Sequence, residues 1–185
     1  MARTFTEQIP LGFTAPDFTL TDVVSGKKIS LDELKSTQAT VVMFICNHCP
    51  YVVHVRAELV RLANDYIPKG ISFIAISSND IINYPEDAPE KMKELALQMK
   101  FPFPYLFDES QEVARAYHAA CTPEFSIFDR QMKCVYRGQL DDSRPNSGIP
   151  VTGKDIRSAL DAILKGEKVN EKQKQSMGCN IKWKT

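Results

Sequence analysis

The sequence predicts an α/β fold in which helices cover both faces of a mixed β-sheet. Residues 40–46 and 71–77 are apolar runs typical of buried strands, and a helical stripe over 50–66 separates them as in a βαβ unit. Further along, alternating runs at 125–128 and 134–137 predict an antiparallel hairpin. A parallel pair joined to an antiparallel hairpin requires a mixed sheet, with the helices packed on its faces.

The other elements follow from turn residues and capping signals. Alternation on either side of Ser25–Lys27 predicts an added N-terminal hairpin over 13–31. We expect a helix opening at Pro89, a short strand at 105–107, a short helix capped by Ser110, and a last helix capped by Thr152 with Asp155 and ending at Gly166.

Length and composition favour one globular domain without a nucleic-acid or membrane partner. The 185 residues are 43% hydrophobic, and 23 basic side chains balance 23 acidic ones. The first eight residues lack the apolar core of a signal peptide, and no apolar run approaches the ~20 residues that span a bilayer, so we expect a cytoplasmic protein. We assign 1–166 to the domain and 167–185 to a C-terminal extension carrying Cys179 and Trp183.

The segment Cys46-Asn47-His48-Cys49 lies between the first buried strand and the helix that follows it. A helix N-terminus stabilises a thiolate, so we expect Cys46 to be an exposed nucleophile and Cys49 to be a more buried resolving thiol. His48, when protonated, adds a positive charge that favours the thiolate. A C-x-x-C at this junction predicts a thioredoxin-like fold and thiol–disulfide chemistry.

Two other interpretations of the pair remain open. Both cysteines would also fit a hydrophobic core as structural residues. A zinc site normally needs four ligands, and the remaining Cys121, Cys134 and Cys179 are scattered along the chain. We therefore expect neither a metal nor an organic cofactor, although a redox-inert or metal-binding interaction module is a third functional class.

Several motifs resemble the redoxin branch of the thioredoxin superfamily, where AhpC/TSA peroxiredoxins and TlpA-type thioredoxins meet. The resemblance rests on Ala15-Pro16-Asp17-Phe18, Cys46-Asn47-His48-Cys49-Pro50-Tyr51-Val52, Asp108-Glu109, Thr122-Pro123 and Tyr136-Arg137-Gly138. It is closest to bacterial thioredoxin-family proteins that share the Cys-Asn-His-Cys-Pro-Tyr-Val motif. It implies a mixed central sheet flanked by helices, with an added hairpin and a C-terminal tail.

The resemblance also implies a substrate site and partners. Pro123 is expected to be cis, and Thr122 before it would offer backbone hydrogen bonds to a bound substrate. The partners would be protein or small-molecule disulfides together with a thiol reductant.

The sequence departs from both parent groups. The carboxylate that thioredoxin buries before its motif has no counterpart in residues 40–45, which leaves Asp80 and Glu124 as weak candidates for a proton acceptor. Peroxiredoxins place Thr three residues before the peroxide-reactive cysteine; if Cys49 is that cysteine, Cys46 replaces the Thr. This disfavours the alternative function, an antioxidant hydroperoxide reductase.

Two further cysteines are candidates for an auxiliary redox role. Cys121, close to Pro123 in sequence, either approaches Cys46 or is a small buried hydrophobe. Cys179 is either a third redox thiol on a mobile arm or part of a tail docked through Trp183.

Overall fold

The computed structural model describes residues 3–184. Among these residues, the strands are β1 (Arg3–Phe5), β2 (Thr19–Asp22), β3 (Lys28–Ser30), β4 (Ala39–Phe44), β5 (Ile71–Ser77), β6 (Tyr105–Phe107), β7 (Cys121–Thr122), β8 (Glu124–Asp129), β9 (Cys134–Gly138) and β10 (Met177–Asn180). The α-helices are α1 (Leu31–Leu34), α2 (Pro50–Tyr66), α3 (Pro89–Met99), α4 (Glu112–Ala116) and α5 (Lys154–Leu164). Single 3₁₀ turns lie at Ile67–Lys69 and Pro85–Asp87.

The predicted mixed sheet is confirmed. Seven strands lie in the order β3-β2-β6-β5-β4-β8-β9. β4 runs parallel to β5 and antiparallel to β8, so that Val42 lies between Ile74 and Ser126. All six residues of β4 are buried, which explains why its sequence is a continuous apolar run rather than an alternating one.

Helices cover both faces of this sheet, also as predicted. Successive side chains of a strand point to opposite faces, and β4 accordingly divides its residues between two hydrophobic clusters. Val41 and Met43 pack in the cluster that holds residues of α2, α3 and α5. Val42 and Phe44 pack in the other cluster, with residues of α1 and α4.

A second, three-stranded sheet brings the two ends of the described chain together in the order β1-β10-β7. Cys179 of β10 pairs with Arg3 on one side and with Thr122 on the other. The arm considered from sequence is therefore a strand. Its four residues, Met177–Asn180, carry too little pattern to indicate one.

Two helix starts differ from the predictions. The N-cap of α4 is Gln111, in a left-handed conformation, rather than Ser110. The N-cap of α5 is Gly153 rather than Thr152, because the Asp141 carboxylate accepts the backbone N–H groups of both Thr152 and Gly153 at 2.7 Å. A carboxylate from outside the helix thus replaces the expected capping box.

Within residues 3–184, no helix is both long and apolar enough to cross a bilayer.

The contact between β10 and β7 depends on the absence of a side chain at Gly178. A Cβ at this position would overlap the Thr122 carbonyl oxygen. We expect Gly178→Ala to lower the free energy of unfolding by about 3 kcal/mol, since β10 would have to move away from β7. Urea denaturation would measure the change.

Gly148→Ala is the matched control. Gly148 has a φ of 71° and open space around it, so alanine there incurs backbone strain of about 1 kcal/mol without a clash. Equal losses in the two variants would contradict the close approach at Gly178.

Candidate functional site

The cysteine pair lies in the loop between the central strand β4 and helix α2. The helix begins at Pro50, and Cys49 is its N-cap, whereas Cys46 precedes that cap by three residues. The peptide dipoles of α2 therefore act on Cys49, because their effect is confined to the first turn. The expectation that they act on Cys46 is corrected. Cys46 is also not exposed, since the exposed fractions are 1% for Cys46 and 0% for Cys49.

Cys49 carries the thiolate of this site. A hydrogen bond from the Cys46 thiol, with smaller contributions from the Cys179 thiol and the Val52 N–H, lowers the pKa of Cys49 to about 5 against the opposing effect of burial. The pKa of Cys46 is raised because its proton is held in the hydrogen bond to Cys49, and because it is buried near the negative charge of Asp87. The two sulfurs thus share one proton.

Asp87, a residue that sequence reasoning missed, holds the loop between the two cysteines. Its Oδ1 accepts the backbone N–H groups of Asn47 and His48 at 2.7 and 3.3 Å. Its Oδ2 lies 2.7 Å from both His48 Nδ1 and Asn79 Nδ2. The side chain is fully buried, so these four partners replace its hydration. In the sequence, Asp87 stands in a short acidic turn that resembles any surface turn.

His48 is oriented by Asp87 and by the ring of Tyr84, which stacks on the imidazole at a centroid distance of 5.4 Å. Its buried Nε2 has no hydrogen-bond partner among residues 3–184. One ring nitrogen of His48, Cys46 Sγ and an Asp87 oxygen all lie within 4.8 Å of one another. This places an acid–base group beside the Cys46 sulfur.

The same three residues have the donor types of a metal site. However, the Asp87 carboxylate already accepts four hydrogen bonds, about as many as its lone pairs allow. Only the Cys46 sulfur and the His48 imidazole of this group then remain as metal ligands. A structural zinc site uses four ligands, so this group fits such a site poorly.

Neither carboxylate considered from the sequence occupies the position of Asp87. Asp80 hydrogen-bonds within its own turn, to the Ile82 N–H and the Asn83 side chain. Glu124 is buried against Arg137, with its Oε1 2.5 Å from Arg137 Nη2.

Thr122 and Pro123 lie against the cysteine pair, and their peptide bond is cis, as the resemblance implied. Thr122 Oγ1 is 3.4 Å from Cys46 Sγ, and the Thr122 carbonyl oxygen is 3.2 Å from Cys49 Sγ. The backbone of Thr122 pairs with Cys179 in the β7–β10 ladder. The chain's own strand therefore occupies the edge where the resemblance implied a substrate.

Cys179 lies beside Cys49, with 2.8 Å between the two sulfurs. Burial and the hydrogen bond to Cys49 raise the pKa of Cys179 to about 12. The tail beyond it is docked, because Arg115 lies over the Trp183 ring at 4.4 Å and Trp183 packs against a core cluster. Of the two interpretations of Cys179, the tail docked through Trp183 is the one observed. The docked tail also places a third thiol beside the cysteine pair.

The other two cysteines lie in the core. Cys121 Sγ is 3.7 Å from Glu124 Oε2, and burial raises the pKa of this thiol well above its usual range. Cys134 Sγ is 3.3 Å from the Tyr136 carbonyl oxygen, and burial raises its pKa to about 12. Both environments fit the structural interpretation.

The lowered pKa of Cys49 predicts a pH-dependent contribution to stability. Because this pKa falls from 9.0 to about 5 on folding, the contribution is complete above pH 9 and disappears as the pH falls to about 5. The difference in unfolding free energy between the wild type and Cys49→Ser should therefore increase from pH 5 to pH 9. Urea denaturation at a series of pH values would measure it.

Cys134→Ser is the control for this titration. The Cys134 thiol is protonated in both the folded and the unfolded state up to about pH 8, so its stability difference from the wild type should remain flat to that pH and decrease only near pH 9. A flat difference for Cys49→Ser as well would rule out the thiolate.

The hydrogen bonds of Asp87 predict that replacing its carboxylate by an amide lowers the stability of the protein strongly. Asp87→Asn would place an amide N–H₂ against the Asn79 and His48 donors, so we expect a loss of about 3 kcal/mol in unfolding free energy. The exposed neighbour Glu86 provides the matched variant Glu86→Gln, with an expected change below about 0.5 kcal/mol. Similar melting temperatures for both variants would contradict the assignment.

Comparison with known proteins places this geometry in a family. The model of the AhpC/TSA family matches residues 11–137, which is more than half of the chain. A search of curated proteins finds no match to this chain. An uncharacterized conserved protein from Geobacillus kaustophilus is 65% identical, with a TM-score of 0.98 over 100% of this chain and 97% of that one. A hypothetical protein from Sinorhizobium meliloti 1021 is 46% identical, with a TM-score of 0.96 over 98% of this chain and 99% of that one.

A more distant structure shows the same fold. The thioredoxin domain of a thiol–disulfide oxidoreductase from Bacteroides vulgatus is 20% identical, with a TM-score of 0.59 over 70% of this chain and 89% of that one. The mixed sheet with helices on both faces is thus a thioredoxin-like fold, and the family match assigns the chain to the redoxin branch of that superfamily. The chain belongs to the AhpC/TSA family.

Proposed function

We propose that this protein is a thiol–disulfide oxidoreductase in which Cys46 and Cys49 alternate between a dithiol and a disulfide. The observation that carries the proposal is the hydrogen-bonded pair itself, with its thiolate at the N-cap of α2 and a pKa of about 5. Its substrates are protein or small-molecule disulfides, and a thiol reductant regenerates the dithiol. The reaction requires neither a metal nor an organic cofactor.

In the first step, Cys46 attacks a substrate disulfide. The Cys46 proton passes along its hydrogen bond to the Cys49 thiolate, and the Cys46 thiolate then bonds to one substrate sulfur. The substrate S–S bond breaks, and its second sulfur leaves as a thiolate. His48, held by Asp87, lies where a positive charge would stabilise the Cys46 thiolate.

In the second step, Cys49 resolves the mixed disulfide. Its sulfur attacks Cys46 Sγ, its proton goes to the departing substrate thiolate, and the Cys46–Cys49 disulfide forms. One substrate disulfide has then been reduced to a thiol and a thiolate, which takes a proton from water, and the Cys46–Cys49 pair has been oxidised. Two thiols of the reductant reverse the change in the protein.

The burial of the pair bears on the class of substrate. Both cysteine residues are at most 1% exposed, so a substrate sulfur reaches them only after a local opening of the surrounding loop. A small disulfide needs a smaller opening than a folded protein does. The burial therefore favours small-molecule disulfides or flexible peptides.

A second candidate function is hydroperoxide reduction, which the AhpC/TSA match and the thiolate at Cys49 favour. The Cys49 thiolate would attack a peroxide oxygen, the O–O bond would break, and a sulfenic acid and an alkoxide would form. A neighbouring thiol would then expel water and form a disulfide. The replacement of the expected Thr by Cys46 makes this the less favoured candidate.

Replacing the resolving thiol tests the exchange mechanism. In Cys49→Ser, glutathione disulfide should form a mixed disulfide at Cys46 that persists, whereas the wild type should release two equivalents of glutathione and form an internal disulfide. Mass spectrometry of the intact protein would distinguish the two products. Insulin reduction with dithiothreitol should fall at least tenfold in Cys46→Ser and in Cys49→Ser.

Cys134→Ser is the matched control and should retain wild-type exchange, since Cys134 packs in a different core cluster from Cys46 and Cys49. Absence of any adduct at Cys46, together with insulin reduction unchanged in both variants, would refute the proposal. Stoichiometric hydroperoxide consumption that is lost in Cys49→Ser, without insulin reduction by the wild type, would support the second candidate instead.

A further inference from the structure

Cys49 has two sulfur neighbours from separate parts of the chain. Cys46 hydrogen-bonds to it from the loop after β4, and Cys179 lies 2.8 Å away on β10. A disulfide bond is about 2.05 Å long, so the Cys49 and Cys179 sulfurs need to approach by only about 0.8 Å to bond. In dithiol exchange between Cys46 and Cys49, the Cys179 thiol supports the Cys49 thiolate but forms no bond itself.

The position of Cys179 is built into the fold. Cys179 pairs with Thr122 across the β7–β10 ladder, and only a glycine at position 178 allows the two strands to approach so closely. Just beyond β10, the backbone of Lys182 makes two further hydrogen bonds. Its N–H donates to Asn79 Oδ1 at 2.9 Å, and its carbonyl oxygen accepts the Asp80 N–H at 2.8 Å. The Cys179 thiol is thus held against Cys49 from both sides along the chain.

We propose that Cys49 is shared by two alternative disulfides, and that Cys179 is its second partner. The step begins from the Cys46–Cys49 disulfide and rests on the proposed function for that starting state. Cys179 Sγ attacks Cys49 Sγ, the Cys49–Cys179 bond forms, and Cys46 leaves as a thiolate that takes the Cys179 proton. One S–S bond breaks and one forms, so no outside oxidant or reductant is consumed.

The two oxidised forms have different properties. The Cys46–Cys49 disulfide closes a loop within one turn of the chain, whereas the Cys49–Cys179 disulfide joins residues 130 positions apart and ties β10 to the start of α2. A longer closed loop removes more entropy from the unfolded chain, so the second form should unfold at a higher temperature. In the second form, Cys46 is again a thiol, which an alkylating reagent modifies once the protein is denatured.

The test is disulfide mapping in variants oxidised with diamide, which converts thiol pairs to disulfides directly. Cys46→Ser should form the Cys49–Cys179 linkage in most molecules, and non-reducing peptide mapping by mass spectrometry would identify it. The oxidised wild type should contain both linkages and retain Cys46 that can be alkylated. Cys179→Ser should contain only Cys46–Cys49, with Cys46 alkylation at least tenfold lower.

Cys134→Ser should show both linkages, since this core cysteine takes no part in the exchange. A folded Cys46→Ser protein that oxidises without a Cys49–Cys179 linkage would overturn the proposal. If Cys46→Ser does not fold, the wild type decides, because absence of that linkage from its oxidised form overturns the proposal equally.

The failures of the two proposals are distinguishable. Because diamide replaces the substrate, a protein that forms both linkages but captures no glutathione at Cys46 would refute the proposed function alone. Capture of glutathione at Cys46 without a Cys49–Cys179 linkage would refute this further inference alone.

Discussion

The hydrogen bonds that meet at the Cys49 sulfur connect the main parts of this molecule. The first turn of α2 contributes the Val52 N–H, the loop after β4 contributes the Cys46 thiol, and β10 contributes Cys179. A buried thiolate without such partners would be too costly, and its pKa would rise as those of Cys121 and Cys134 do. The chemistry of the site thus depends on the packing of β10 as much as on the cysteine motif.

The buried carboxylate of Asp87 stabilises the loop between the two cysteines, but it disfavours ionisation of Cys46. Asp87 binds two backbone N–H groups of the loop and the His48 ring, and its negative charge raises the pKa of Cys46. Two thiolates and a carboxylate this close would repel one another strongly, so the pair retains one proton. The arrangement favours a single negative charge that can move between two sulfurs over one hydrogen bond.

The C-terminal strand gives this redoxin a closed site. β10 pairs with β7 beside the cis peptide bond, and its Cys179 faces the cysteine pair. Under the proposed function, a substrate would reach the buried pair after a local opening of this strand or of the loop held by Asp87. The position of β10 thus explains both the burial of the cysteine pair and the contact on which the proposed second disulfide depends.

Local pattern was enough to predict much of the fold. β4, α2, β5 and the β8–β9 hairpin depend on periodicity and on near neighbours, and the sequence itself contains that information. The cysteine pair at the β4–α2 junction was equally visible. The four-residue α1 and the short strands β1, β7 and β10 escaped prediction, because brief elements are decided by the partners they pair with.

The sequence by itself determined the longer strands and helices and that two thiols lie at a helix start. Only the tertiary structure decided which sulfur is ionised, because that depends on the helix beginning at Pro50 and on contacts from distant residues. Asp87 and Cys179 belong to the site through contacts spanning 39 and 130 positions, respectively. Local patterns carry no signal over such separations, since these contacts form only when the sheet and its covering strands are assembled.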